Sequence, residues 1–375
     1  KENMINHLKD YYKSHSNPFK GKKHSEEMRA YLSELAKNRT GERASMYGKH
    51  LTPESYDELL KKRTVNDAVS YLKSETAYGP ILEGLKETNI HRGQLESLLD
   101  EEEFLRAVRL IHYAPKGDQK FYQLGIIRRE IAVLLSKVRL FNSDETLNSE
   151  LDIPSYLPRY STFDLYGLLS IEDYPSLLRY MEKTRYYHIL QKYMPIDDEK
   201  IDTNMMELDF KRAYYKLFVE TVKSTFKGKK QKDLLTMIYT QIELENITKI
   251  YRFKRFFNSK PEQIKKQLIL DYSRIPQSVM NELIETKDAE EFLKKLASSP
   301  YKLYVDDQEF VYIEYYTDKI KYNLAKRYMR FTTDAAMVYM TYLIVFENEV
   351  ENLKHIIEGL RYGEEAEKIA QLLIY

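Results

Sequence analysis

Histidine is the residue of this chain best suited to metal or acid–base chemistry, and its spacing offers neither. His7, His15, His24, His50, His91, His112, His188 and His355 include no pair at ligand spacing on one helix. Cysteine is absent, which removes disulfides, thiolate metal sites and a cysteine nucleophile. Glycine is scarce at 12 residues, and neither a phosphate loop nor a dinucleotide fingerprint occurs. Gly228-Lys229-Lys230 lacks the spacing and the hydroxyl residue of such a loop. The 58 Asp and Glu cannot be paired without geometry. No catalytic, cofactor-binding or metal-ligating residue is expected, and the chain reads as a non-enzyme.

Three glutamates nevertheless recur in one setting. Glu130-Ile131 with Leu134, Glu243-Leu244 with Ile247 and Glu349-Val350 with Leu353 share the order Glu, aliphatic, two variable residues, aliphatic. Each Glu has two readings: an ion pair with a neighbouring basic residue at a helix seam, or an exposed position beside an apolar stripe. Tyrosine is also prominent at 33 residues, with pairs such as Tyr186-Tyr187, Tyr214-Tyr215 and Tyr315-Tyr316. Tyrosine buries a ring while its hydroxyl stays hydrated, so helix packing and an aromatic cage are both open.

The elements that position these residues repeat as well. Leu60 to Leu72 returns ungapped as Leu169 to Met181 and as Ile284 to Leu296. In every copy an aliphatic residue closes a segment, Thr64, Asp173 or Asp288 follows as N-cap, and an apolar face begins at helical spacing. That face is Ala68, Val69 and Leu72, then Leu177, Leu178 and Met181, then Phe292, Leu293 and Leu296. A tyrosine closes each unit, read as Tyr78, Tyr187 and Tyr301. Both marks recur about 110 positions apart, longer than ankyrin or tetratricopeptide repeats and the size of a small domain. Long one-sided stripes complete the pattern, such as Ala336, Met340, Leu343, Phe346, Val350, Leu353, Ile357 and Leu360, ending near Gly359 and Gly363. The Gly359/Gly363 pair marks a helix terminus rather than a membrane dimerisation face, because Arg361 lies between them. No alternating run builds a sheet. The expected fold is all-α, in three tandem helical bundles over 45–155, 156–262 and 263–375.

Composition sets the remaining limits. The net charge of +1 gives no global attraction to nucleic acid or anionic lipid. The most apolar run, Ala335 to Phe346, has 12 residues, whereas a membrane span needs about 20. Residues 1–44 stand outside the repeat and carry ten Lys/Arg against six Asp/Glu. Their centre, Asn17-Pro18-Phe19-Lys20-Gly21-Lys22-Lys23-His24-Ser25-Glu26-Glu27-Met28, makes residues 14–40 resemble a short DNA-binding module attached to homing endonucleases. Phe226-Lys227-Gly228-Lys229-Lys230 repeats part of that string as a solvated basic turn.

Arg43-Ala44, the helix entry Leu51-Thr52-Pro53-Glu54-Ser55-Tyr56, the run Asn89 to Leu99 and the C-terminal Glu347 to Leu360 together resemble the C subunit of archaeal and bacterial V-type ATPases, whose eukaryotic counterpart is the d subunit. The likeness runs from Arg43 to the end and includes the triplication. It implies a funnel of three bundles about a pseudo-threefold axis. It also implies a non-catalytic adaptor between the central-stalk subunits and the membrane rotor ring of proteolipid subunits, coupling ATP hydrolysis or synthesis to proton or sodium transport. Such a part would be cytoplasmic, peripheral on the inner face of the cell membrane. Two other readings stay open, a helical scaffold for another partner and DNA binding through the basic N-terminal segment.

Overall fold

The computed structural model describes residues 51–85, 92–142, 151–196, 200–301 and 312–375. Residues 1–44, with the nuclease-like segment, lie outside them. In chain order the helices are α1 (Pro53–Leu60), α2 (Val65–Glu75), α3 (Gly79–Leu82), α4 (Arg92–Ile111), α5 (Gln119–Tyr122), α6 (Leu124–Phe141), α7 (Tyr174–Met181), α8 (Tyr187–Lys192), α9 (Thr203–Thr225), α10 (Gly228–Phe257), α11 (Pro261–Lys266), α12 (Gln277–Glu285), α13 (Ala289–Ser298), α14 (Ile313–Phe331), α15 (Ala335–Tyr362) and α16 (Ala366–Ala370). A 3-10 turn at Tyr166–Ser170 precedes α7. The fold is all-α: no strand occurs among the described residues.

The repeated segment folds alike in each copy, and local chemistry shows why. The Thr64, Asp173 and Asp288 side chains accept from the amides three residues on, at 3.1, 2.7 and 2.9 Å, starting α2, α7 and α13. Leu72, Met181 and Leu296 are fully buried on the faces that follow. A hydroxyl then ends each helix. Thr76, Thr184 and Ser299 donate to the carbonyls of Leu72, Met181 and Leu296 at 2.6, 2.7 and 2.6 Å. The same hydroxyls accept from the amides of Tyr78, Tyr186 and Tyr301 at 3.2, 3.3 and 3.3 Å. These Ser/Thr turns fix where the tyrosine ring enters the core.

One expectation is thereby corrected. The closing tyrosine of the second copy is Tyr186, buried at 2% exposure, and not Tyr187, which begins α8. The turn hydroxyl selects the residue two places on, so Thr184 directs Tyr186 inward.

Long antiparallel helices carry the rest. Thr248 on α10 meets Thr317 on α14 and Arg252 meets Glu314, while Lys321 on α14 faces Glu347 on α15. Asp100 on α4 pairs with Lys354 on α15, and Arg106 lies over the Phe346 ring at 4.3 Å, so α4 runs antiparallel to α15. Two of the long helices end the same way. α10 and α15 close on left-handed residues, Asn258 (φ 45°) and Gly363 (φ 68°). A short helix then folds back, and its trailing isoleucine is held at both backbone groups by an asparagine. Asn246 binds Ile269 at 3.1 and 2.7 Å, and Asn352 binds Ile374 at 3.0 and 2.7 Å. Gly359 permits that fold-back on α15, because a Cβ there would meet Ile369 at 2.5 Å.

Apolar packing crosses the sequence units. Tyr56, Leu59, Ala68, Val69 and Leu72 share one cluster with Phe346, Val350 and Leu353 of α15. The start of the repeat array is thus packed on its last long helix.

Candidate functional site

Glu130 on α6, Glu243 on α10 and Glu349 on α15 are buried at 0%, 0% and 4% exposure, so the exposed reading fails for all three. Among the described contacts an ion pair is seen at Glu243. Glu243 Oε2 accepts from Arg274 Nε at 3.0 Å and from its terminal nitrogen at 2.8 Å, while Oε1 accepts from Ser273 Oγ at 2.9 Å. The Arg274 amide and the Tyr301 hydroxyl also donate to this carboxylate. Glu130 is held by neutral donors: Ser161 Oγ at 2.8 Å, Thr162 Oγ1 at 3.0 Å, the Thr162 amide and the Tyr186 hydroxyl. Glu349 accepts from the Leu51 amide at 2.8 Å and from the Tyr78 hydroxyl at 2.6 Å. Burial first, and then the facing carboxylate, raises the pKa of Tyr78, Tyr186 and Tyr301, so each phenol stays a donor.

The three clamps follow one rule. Glu130 of the first copy holds the loop and tyrosine of the second, and Glu243 of the second holds those of the third. Glu349 of the third holds those of the first. A sequence read copy by copy looks for each partner inside its own unit, which is why it missed them. Two signals could have found them: the Ser/Thr-x-Tyr step 11 or 12 residues after each cap, and Glu-x-x-Asn in Glu243/Asn246 and Glu349/Asn352.

Between the long helices lies a cavity of about 530 Å³, lined by residues of α4, α5, α6, α9, α10 and α15. Phe121, Tyr122 and Tyr339 close one end, with Phe121 edge-on to Phe226 at 5.2 Å. Aliphatic residues such as Ile111, Leu135 and Leu343 line much of the remainder, interspersed with charged ones that include Glu103, Arg128, Lys211, Glu245 and Glu347. Glu347 keeps 27% of its side-chain surface exposed and Arg128 60%, so both face solvent within the concavity. Burial opposes the Glu347 charge, but Lys321, Arg128 and Arg129 outweigh it and hold the pKa at about 2. Tyr215 donates to Glu245 on the opposite wall.

His112 is exposed in the turn after α4, His188 is exposed on α8, His355 lies partly buried on α15, and the other histidines fall outside the described residues. No group of three His, Cys, Asp or Glu that could hold a metal occurs among the described residues. Nor is any helix there long and apolar enough to cross a membrane. The described residues form an all-α body in which one capped segment recurs three times and a recess of mixed apolar and charged lining lies between long helices.

That architecture agrees with a family match over residues 43–372, nearly the whole chain, to the ATP synthase (C/AC39) subunit. The chain belongs to this family. It is also 24% identical over 341 residues, 88% of this chain and 87% of the other, to the C subunit of the A-type ATP synthase of Pyrococcus horikoshii. Members of the family are structural subunits of A/V-type ATPases, which places this chain with other ATPase subunits. The match begins at Arg43, where the reading of the motifs also placed it. Separately, residues 12–33 match the NUMOD3 motif, the nuclease-associated likeness noted in the sequence.

Proposed function

We propose that this protein is a non-catalytic rotor adaptor, three bundles about a pseudo-threefold axis forming a funnel. It would link the central stalk of the soluble sector to the membrane rotor ring, and so couple ATP turnover to proton or sodium movement. The observation that carries this is the central recess walled by long helices from all three copies. Its volume compares with one helical turn with side chains, a cylinder about 10 Å wide and 5.4 Å long of about 420 Å³. The recess therefore suits the tip of a helical stalk. A torque-bearing part needs stiff contacts rather than turnover, and the Glu–Tyr clamps supply them by tying each copy to the next. On this reading the protein is peripheral on the inner face of the membrane.

The test is recovery of stalk and rotor-ring subunits with the tagged chain from native membranes. Arg128→Glu, which places two carboxylates together in the recess, is expected to lower stalk recovery at least ten-fold while leaving the ring bound. Recovery of neither partner by the unaltered chain rejects the adaptor in favour of a scaffold for something else. The NUMOD3 match supports a second activity, DNA binding by residues 12–33. Its affinity would fall steeply with salt and vanish on deletion of residues 1–40.

A further inference from the structure

Beyond the aromatic floor of the recess, three turns meet: 113–118 between α4 and α5, 226–227 between α9 and α10, and 332–334 between α14 and α15. Lys230 ties them together. Its Nζ lies 2.8 Å from Asp334 Oδ2, 3.5 Å from Asp118 Oδ2 and 4.3 Å from the Phe226 ring. Tyr339 donates to the Tyr122 carbonyl at 3.1 Å just beneath, so the turns form one continuous end face.

That face is strongly basic. Segments 113–120, 223–233 and 326–334 hold ten Lys/Arg against three Asp, a net +7 in a chain whose total is +1. Two of the three Asp are those that Lys230 already engages. Lys116, Lys227, Lys229, Lys232 and Arg330 are exposed. Among them stand Tyr113 and Phe331, 83% and 84% exposed, the two most exposed large hydrophobic side chains of the described residues. Gly117 (φ 103°) and Gly228 (φ 60°) let two of the turns reverse tightly and project their lysines.

We propose that this end docks on the headgroups of an anionic phospholipid membrane. Eight of the ten cations are lysines, single charges on flexible stems spread over three tips. Point charges on flexible stems can follow mobile headgroups across a plane, and a cluster of this size is attracted to anionic lipid by about 1 kcal/mol per cation near the surface. Exposed aromatic rings beside the cations seat in the interfacial layer while the charges stay at headgroup level. With no helix among the described residues able to cross the bilayer, the contact is peripheral. Each lysine lost weakens binding about five-fold. The direction this gives the molecule, basic end toward the membrane and recess away from it, rests on the adaptor reading.

The full-length chain is floated with vesicles of phosphatidylcholine alone, and with vesicles of one part phosphatidylglycerol to two parts phosphatidylcholine. Binding to the second kind only is expected, lost near 1 M salt where the Debye length is about 3 Å. The triple variant K227E/K229E/K232E is expected to bind more than a hundred-fold more weakly, and K116Q/K120Q/R330Q, which removes charges on the other two turns without reversing them, about a hundred-fold. Equal flotation with both vesicle types overturns the proposal, as does wild-type flotation by either variant, which would place the affinity in residues 1–44. If vesicles fail while the chain still assembles with the detergent-solubilised rotor ring, the face is a protein contact and the adaptor reading stands alone. If vesicles succeed and no ATPase subunit is recovered, lipid docking stands and the adaptor reading falls.

Discussion

A buried or half-buried carboxylate takes its character from its donors, and the four glutamates discussed differ in that respect. Glu130 accepts from neutral hydroxyls and an amide, and Glu349 from the Leu51 amide and the Tyr78 hydroxyl, so their removal leaves those donors unpaired; Glu243 adds an arginine. Glu347 instead depends on the cations Lys321 and Arg128 beside it. Folding lowers its carboxyl from 4.5 to about 2, so its stabilisation is complete above about pH 4.5 and is lost as pH falls toward 2. Because Arg128 is largely exposed, screening reduces the full linkage value, and Glu347→Gln is expected to cost about 1–2 kcal/mol at neutral pH. Urea unfolding of both proteins between pH 7 and pH 3 would show the gap closing toward the acid end. A gap independent of pH would mean that packing, and not charge, carries the loss.

Within the elements, the three Ser/Thr turns decide which ring reaches the core. Thr184 accepts from the Tyr186 amide and so aims Tyr186, not its neighbour, at Glu130. Tyr186→Phe therefore removes a buried hydrogen bond to a carboxylate and is expected to cost about 1.5–3 kcal/mol, while Tyr187→Phe stays within about 0.5 kcal/mol. Thermal midpoints of the two variants measure this, and equal shifts would deny the register. The pattern was legible in part. Caps and apolar faces showed in the sequence because they act through neighbours three and four residues apart. The choice between adjacent tyrosines did not, because it depends on a hydroxyl–amide bond that helical periodicity does not encode.

For the molecule as a whole, the order of the clamps matters more than any single one. Glu349 joins the last long helix to Leu51 and Tyr78 across 298 and 271 residues, whereas the other two clamps span 32 and 31 residues to their loops. Glu349→Ala leaves a half-buried amide and a buried phenol without this acceptor, at a cost of about 2–4 kcal/mol. The loss is local. Amide exchange in α2, which packs on α15, is expected to accelerate about ten-fold more than in α13, which Glu243 still holds. Uniform acceleration would show that the copies unfold as one unit and that the clamp between the chain's two ends has no separate role.

By itself the sequence determined the all-α fold, the recurring segment with its three caps and the family, because each is written in local spacing and in its recurrence. It also singled out the three glutamates without finding their partners. Only the tertiary structure decided that each glutamate serves the next copy and the third serves the first, that Glu347 and Arg128 share a recess, and that Lys230 gathers three basic turns on one face. Those contacts join residues from about 30 to nearly 300 positions apart, a separation at which periodicity carries no information and only the packing of long helices brings side chains together.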